Sequence, residues 1–303
     1  MPANGVKLSP NENLLSSEEL LLAIKVFVDL GVRKVRLTGG EPTLRKDIVS
    51  LCSRIKDLGV ETLAITTNGL LLSRFAPQLK VAGVSHLNIS LDTLDPVRFE
   101  RITKRRGHNL VMMGLDMALK QQFKSIKINC VVQRGINQDE LPAFVQLTRN
   151  LPIEIRFLEH MPFAQNNWDK TSMVTYDEMV HSIKECFPSF TKVLDVDDPH
   201  STARMWHVPT FNGKIGFMTT MTDEFCASCN RLRLTADGNI KACLFNNSEL
   251  SIRDAIRKPG CTERDIVEVI TEAVRAKREK LGGFESSSQL VSATNRPMVL
   301  IGG

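Results

Sequence analysis

Five short strand-like segments begin at residues 34, 62, 86, 125 and 153, with helix-patterned stretches between them, and this recurrence constrains the fold more than any other feature. Strands that alternate with helices are successive βα units, whose crossovers bring the chain back in parallel. The segments read KVRLT (34–38), TLAITTN (62–68), HLNISLD (86–92), SIKINCVV (125–132) and IEIRFLEH (153–160). Parallel strands buried on both faces are nearly continuous apolar runs. These alternate instead: Lys34, Arg36 and Thr38 oppose Val35 and Leu37; His86, Asn88, Ser90 and Asp92 oppose Leu87, Ile89 and Leu91; Lys127 and Asn129 oppose Ile126, Ile128 and Cys130; Glu154 and Arg156 oppose Ile155 and Phe157. Helices need the apolar face, so the polar face must meet water or a charged ligand. A complete (βα)8 barrel fills its interior with Val, Ile and Leu. The pattern therefore predicts an open, partial barrel around a large polar ligand; an open sheet with polar strand ends is the alternative. TLAITTN is the irregular strand, because adjacent Thr66 and Thr67 cannot both face inward.

Local signals mark the helices. Ser16 and Glu19 form a capping box for a helix of SSEELLLAIKVFVDL, and Gly31 ends it. Further helices are expected over 45–58, 72–82, 108–121, 138–149 and 175–187. The loop GGEPT follows the first strand at the carboxyl end where barrel sites lie; Gly39 and Gly40 admit a close ligand, and Glu41 is placed to accept from an ammonium. The 303 residues suffice for a large α/β domain and a smaller one, with the boundary expected at 190/191. A net charge of +5 is too diffuse to argue for nucleic acid, but it suits an anionic small ligand. Seven cysteines argue for a reducing compartment and against a disulfide scaffold. No apolar run is long enough to span a membrane, and no targeting peptide is visible.

From about residue 162 the texture changes: a loop, PFAQNNWDKTS (162–172), the helix at 175–187 and an acidic connecting segment, VDDPHSTAR (196–204), precede short strands, ARMWHV and KIGFMTT, leading into CASCNRLRLTADGNIKACLF (226–245). Its cysteines, Cys226, Cys229 and Cys243, are spaced C-x2-C-x13-C, with Asp237-Gly238 as a turn between RLRLT and NIKACLF. Three thiolates suit an iron–sulfur cluster with one open iron. A structural zinc knuckle is the lesser alternative, since zinc would have to recruit a distant Cys261 or His207 as fourth ligand. Arg231 and Arg233, at i and i+2, would share one strand face and hold an anion such as a phosphate chain, or form a plain basic edge. Helices are expected over 250–257 and 262–280; Lys277, Arg278 and Lys280 read as a solvated, dipole-favoured helix end. The tail NRPMVLIGG ends in Gly302-Gly303.

Taken together, KVRLTGGEPTLRKD, ITTNG, LNISLDTLD, KINCVVQRGIN, RFLEHMPF, CASCNRLRLTADGNIKACLF and NRPMVLIGG resemble the radical S-adenosylmethionine GTP 3′,8-cyclases of molybdenum-cofactor biosynthesis, over the whole chain. The resemblance implies an α/β fold: a partial (βα)6 barrel lacking its first strand, residues 1–190, and a C-terminal α+β iron–sulfur domain, residues 191–303. It implies that Cys226, Cys229 and Cys243 hold a second 4Fe-4S cluster. Arg36, Thr67, Lys127, Arg231, Leu232 and Arg233 would bind GTP, and Gly40, Ser90 and Met161 would bind S-adenosylmethionine. Gly302-Gly303 would reach the cavity, an electron donor would be required, and a homodimer is common in the family. The family's first cluster sits on a C-x3-C-x2-C triplet near the start, and no such triplet occurs here. The expectation is an internal start at Met1-Pro2, and a chain unable to begin radical chemistry alone. A non-catalytic GTP- or cluster-binding homologue is the rival. The compartment would be the mitochondrial matrix in a eukaryote and the cytoplasm in a bacterium. Cys52, Cys130, Cys186 and Cys261 read as ordinary core cysteines.

Overall fold

A computed structural model describes residues 9–163, 166, 168–193, 202–223, 226, 229–278, 281–284, 289–290 and 296–301. In chain order the main elements are α1 (Ser17–Asp29), β1 (Lys34–Leu37), α2 (Ile48–Asp57), β2 (Thr62–Thr67), α3 (Leu72–Val81), β3 (His86–Ser90), α4 (Pro96–Thr103), α5 (His108–Lys120), β4 (Ser125–Val132), α6 (Leu141–Leu147), β5 (Glu154–Glu159) and α7 (Tyr176–Cys186). There follow β6 (Thr191–Lys192), β7 (Arg204–His207), β8 (Lys214–Met218), β9 (Arg233–Leu234), β10 (Asn239–Lys241), β11 (Leu250–Ser251), α8 (Ile252–Arg257), α9 (Glu263–Arg275) and a terminal turn of helix, Met298–Ile301. The capping box at α1 forms as its residues dictate: Ser16 Oγ accepts from the Glu19 amide at 3.2 Å, and Glu19 Oε2 accepts from the Ser16 amide at 2.8 Å. Helix α4 has no counterpart among the expected helices. Its start is nonetheless chemical, with Asp95 accepting from the Arg98 amide at 2.6 Å and Pro96 in the first turn.

Eight strands form one sheet in the order β1-β2-β3-β4-β5-β8-β7-β6. β1 to β5 and β8 are mutually parallel, while β7 and β6 run antiparallel at the far edge. The expected boundary at residue 190 does not coincide with an edge of this sheet, since β6, β7 and β8 lie beyond it and extend the same ladder. Phe190, Trp206 and Phe217 likewise join the main core, with Phe190 and Trp206 stacked at 4.9 Å. That core takes the apolar face of each strand, including Leu87, Ile89, Ile126, Ile128, Ile155 and Phe157, against the helices. Each such side chain contributes roughly 1.5–3 kcal/mol by burial.

A smaller antiparallel sheet, β11-β10-β9, packs with α8 and α9 around Ile240, Ile252, Ile266, Ile270 and Ala273. Helix α1 belongs to both cores: Leu21 and Ile24 enter the first, Ala23 and Val26 the second. Arg257 on α8 secures the joint, donating to Glu19 Oε1 at 2.6 Å and to the carbonyls of Glu12 (2.6 Å) and Leu14 (2.9 Å). The hairpin turns at Gly238, whose φ of +78° and close approach to Arg253 leave no room for a side chain. Its arms are shorter than expected. β9 begins at Arg233 and β10 ends at Lys241, so Arg231 and Cys243 flank the strands, and the two arginines do not share one strand face. Just ahead of β9, Lys277 Nζ reaches Arg231 O at 3.3 Å. Among the described residues no helix is long and apolar enough to cross a membrane. Gly302-Gly303 lies outside the described residues.

Candidate active site

The polar face of the large sheet is laid out by strand register. Arg36 pairs with Ala64, Asn88 with Lys127, Lys127 with Glu154 and Asn129 with Arg156, so period-two alternation aims these side chains to one side. Glu154 stands among the cations. Lys127 Nζ donates to its Oε2 at 2.5 Å, and Arg156 Nε donates to its Oε1. Asn88, with its amide oriented by its neighbours, accepts from Arg36 Nη1 at 3.2 Å. Arg36 keeps contact with solvent yet is surrounded by protein, as a group lining a wet cleft is. Burial, then repulsion from Arg156, Arg231 and Arg233, brings its pKa down to about 10. Burial and Arg231 likewise press Arg233 down, opposed by Cys243 and Cys229. Lys127 is lowered by burial and by Arg156. For Glu154, burial alone would raise the carboxyl, but Arg156 and Lys127 outweigh it and hold it low. His86 falls to about 4 through burial and the charges of Lys34, Lys127, Lys124 and Arg36. Burial is the leading cause throughout; beside it, Arg36, Arg233, Lys127 and His86 feel neighbouring positive charges, with Glu154 as a partial counter-charge. On the same face, Thr66 Oγ1 and Asn129 Oδ1 are buried without a hydrogen-bond partner. Such groups are costly unless a ligand meets them.

The strand ends carry the remaining residues. The untidy strand resolves cleanly: Thr66 takes the polar face, and Thr67 points to the other side, buried, donating to Glu41 Oε1 at 2.7 Å. Glu41 also accepts from Thr43 Oγ1 (2.6 Å), the Thr43 amide (3.1 Å) and the Asn68 amide (2.7 Å). This carboxylate is therefore a staple between the loop after β1 and the end of β2; three of its bonds fall on Oε1 and one on Oε2, so Oε2 keeps a lone pair for a further donor. Gly39, at φ +86°, and exposed Gly40 have open space where side chains would stand. Ser90 is exposed at the end of β3.

Met161, beyond β5, packs with Cys226, Cys243, Phe163, Leu244 and Phe284 around buried Phe245 and Leu290. Cys229 follows Cys226 with an amide-to-carbonyl bond of 3.1 Å. Burial would raise the Cys229 thiol, but the Arg231 amide, Lys277 and Arg231 outweigh it and hold it below the ordinary thiol value. A lowered thiol is a better soft-metal ligand. Leu232 is half-buried between the two arginines. The fourth ligands that a zinc knuckle would recruit lie elsewhere: Cys261 packs against the second core and His207 pairs with Thr191 on the large sheet. Among the described residues no three His, Cys, Asp or Glu side chains converge as a single ion requires. Cys52 and Cys130 are buried core residues as expected, but Cys186 is exposed at the end of α7 and Cys261 is half-buried.

Several residues the site uses were not singled out from sequence. Arg156 and Asn129 were visible as members of the polar alternation, but nothing local distinguished them. Glu159 is fully buried at the end of β5 and accepts from the amides of Met221 (2.7 Å), Thr222 (3.0 Å) and Tyr176 (3.2 Å) and from Thr222 Oγ1 (2.5 Å). It ties β5 to the segment leading into the cysteines. Lys277 corrects an expectation outright: its ammonium is turned onto the cysteine loop and not into solvent.

A mainly parallel α/β sheet with a charged polar face, joined to a small antiparallel sheet flanked by three cysteines, defines the class. Residues 3–148 match the Radical SAM superfamily model and residues 153–282 the Molybdenum Cofactor Synthesis C model. The structure of Streptococcus suis SuiB bound to S-adenosylmethionine shares the fold, with a TM-score of 0.59 over 97% of this chain and 72% of that one at 14% identity. The chain is 46% identical over 302 residues to molybdenum cofactor biosynthesis protein 1 of Homo sapiens, covering 99% of this chain and 46% of that protein. It is 45% identical to the mitochondrial GTP 3′,8-cyclase of Arabidopsis thaliana (100% and 76% covered) and 37% identical to the GTP 3′,8-cyclase of Desulforamulus reducens (91% and 85%). The chain spans about half the length of the animal relatives it matches. It belongs to the GTP 3′,8-cyclase family of molybdenum cofactor biosynthesis.

Proposed function

We propose that the chain acts as a GTP 3′,8-cyclase, converting GTP to 3′,8-cyclo-7,8-dihydro-GTP with S-adenosylmethionine as radical source, at the first step of molybdenum cofactor synthesis. The observation that carries this reading is electrostatic. Arg36 and Arg156 from the sheet and Arg231 and Arg233 from the cysteine hairpin crowd one another. Crowded guanidinium groups call for a multiply charged anion, and a triphosphate supplies the charge and the acceptor oxygens.

Arg36, Lys127, Arg231 and Arg233 take the polyphosphate and ribose on this reading, with Arg156 beside them and Leu232 against the base. Thr67 acts through Glu41, keeping the loop before it in place. Gly40, Ser90 and Met161 line the side where the sulfonium compound sits, at the carboxyl ends of the strands. Soft thiols at Cys226, Cys229 and Cys243, one of them already lowered, fit a 4Fe-4S cluster. When bound, such a cluster offers one iron with a position open to the purine. Tyr176, Met221 and Thr222, gathered on Glu159, keep the cysteine segment against the sheet and restrict water. The 303 residues contain no C-x3-C-x2-C triplet, so the ligands of an S-adenosylmethionine-cleaving cluster are not assigned to them. An external donor supplies the electron. The compartment is the mitochondrial matrix in a eukaryote or the cytoplasm in a bacterium; the Arabidopsis relative is named as mitochondrial.

Anaerobic purification tests the reading. The chain should carry about four irons, one cluster's load, and GTP should change the spectrum of that cluster. A colourless protein with stoichiometric zinc, unresponsive to GTP, would overturn it.

A further inference from the structure

Lys277 lies two residues past the end of α9, in a run of basic residues. Its ammonium donates to Cys229 O at 2.5 Å and to Arg231 O at 3.3 Å, and it reaches Cys229 Sγ at 3.5 Å. An ammonium has three protons, and here three acceptors on one loop surround it. One acceptor residue carries a cysteine of the trio. The other carries a guanidinium that acts on Arg36. The base of this strut is firm, because Ile266, Ile270 and Ala273 of α9 are packed in the second core with Ala23 and Val26 of α1. The helix thus takes its position from packing remote from the site and transmits it through one side chain to two residues of the site.

We infer that Lys277 is a positioning residue that fixes Cys229 and Arg231 against the second core and hydrogen-bonds the Cys229 sulfur when that sulfur is a cluster ligand. This rests on the reading that the three cysteines hold an iron–sulfur centre. Two consequences are separable. The carbonyl bonds restrain the loop, so they govern how readily iron is lost. The N–H···S contact withdraws charge from a ligating sulfur, so it favours the reduced cluster and sets the potential higher than it would otherwise be. A residue serving only to pack the loop would affect the first and not the second.

The test compares the reconstituted holo-chain with Lys277→Met, which keeps the stem and loses the donor, and Lys277→Arg, which keeps charge and donors. Iron release to a chelator and the midpoint potential of the cluster are both measured. Lys277→Met is expected to release iron about 10-fold faster or more, the usual effect of removing a partner of a metal ligand, with a more negative midpoint. Lys277→Arg is expected to restore retention. If Lys277→Met fails to fold, Lys277→Gln, which can still donate to a carbonyl but carries no charge, decides the matter by its potential. Wild-type retention or a wild-type midpoint in the uncharged variant would overturn the inference. A wild-type chain that takes up no iron would instead overturn the underlying reading.

Discussion

Replacing Glu159 with Gln changes one atom in a site with no solvent, and its consequence can be worked from the contacts. The carboxylate accepts four hydrogen bonds: three from the amides of Tyr176, Met221 and Thr222, one from the Thr222 hydroxyl. A glutamine keeps one carbonyl oxygen, which serves two of these donors. Its NH2 group settles on the Oε1 side, where the Thr222 hydroxyl turns to accept from it and donor meets donor only at the Tyr176 amide. One bond to a charged acceptor is lost, so the cost is about 1.5–3 kcal/mol. That cost falls on the join between β5, the start of α7 and the segment 219–223 that precedes Cys226. Hydrogen exchange reads it directly. At about 1.4 kcal/mol per factor of ten, the Tyr176 amide, which loses its acceptor, should exchange about 10–100-fold faster in Glu159→Gln, while the amide of Ile128 in the central strand changes far less. Iron retention should fall with it. Exchange at Tyr176 within about threefold of wild type would refute the argument, because that amide would then owe its protection to something other than this carboxylate.

Three further outcomes follow from the same geometry. Arg233→Ala should weaken GTP binding by about 1.5–3 kcal/mol, measured by calorimetry; an unchanged affinity removes it from the site. His86 has a folded pKa of about 4, below its unfolded value near 6.5, so between those limits the unfolded chain holds the extra proton. Stability is therefore intact above about pH 6.5 and declines as pH falls toward 4; denaturation midpoints at pH 7 and pH 5 should differ less in His86→Gln, and an identical drop in the variant would show that another group is responsible. At Gly213 an added Cβ would stand 2.3 Å from Ile153 O and 2.8 Å from Leu151 O. Both are backbone atoms, so Gly213→Ala should cost about 1–3 kcal/mol, and a melting temperature equal to wild type would contradict the packing.

What could be read locally was read well. The capping box at Ser16, the strands β1 to β5 and the turn at Gly238 depend on residues a few positions apart, and each formed within a residue or two of its expected place. α4 was missed although Asp95-Pro96 is a helix start, because no apolar stripe of comparable strength follows it. The hairpin arms were overextended: RLRLT has strand composition, but β9 begins only at Arg233, and a lysine 46 residues away in sequence reaches the Arg231 carbonyl. Glu41 was noticed as a polar group near a ligand loop, and its true partners, Thr67 and Asn68, come from the next strand.

Sequence alone determined that the sheet would have a polar face, because side-chain direction along a strand has a fixed period of two and needs no tertiary information. It likewise supplied the three thiols and the arginine pair, which are adjacent in the chain. Only the tertiary structure decided which charges crowd together, since Arg36, Arg156, Arg231 and Arg233 are brought near by strand order and hairpin placement. It also decided that Glu159 and Lys277, unremarkable in their own neighbourhoods, are the residues that lock the cysteine segment in place. Coulombic and hydrogen-bond energies depend on distance in space, and distance in space is what a linear sequence does not carry.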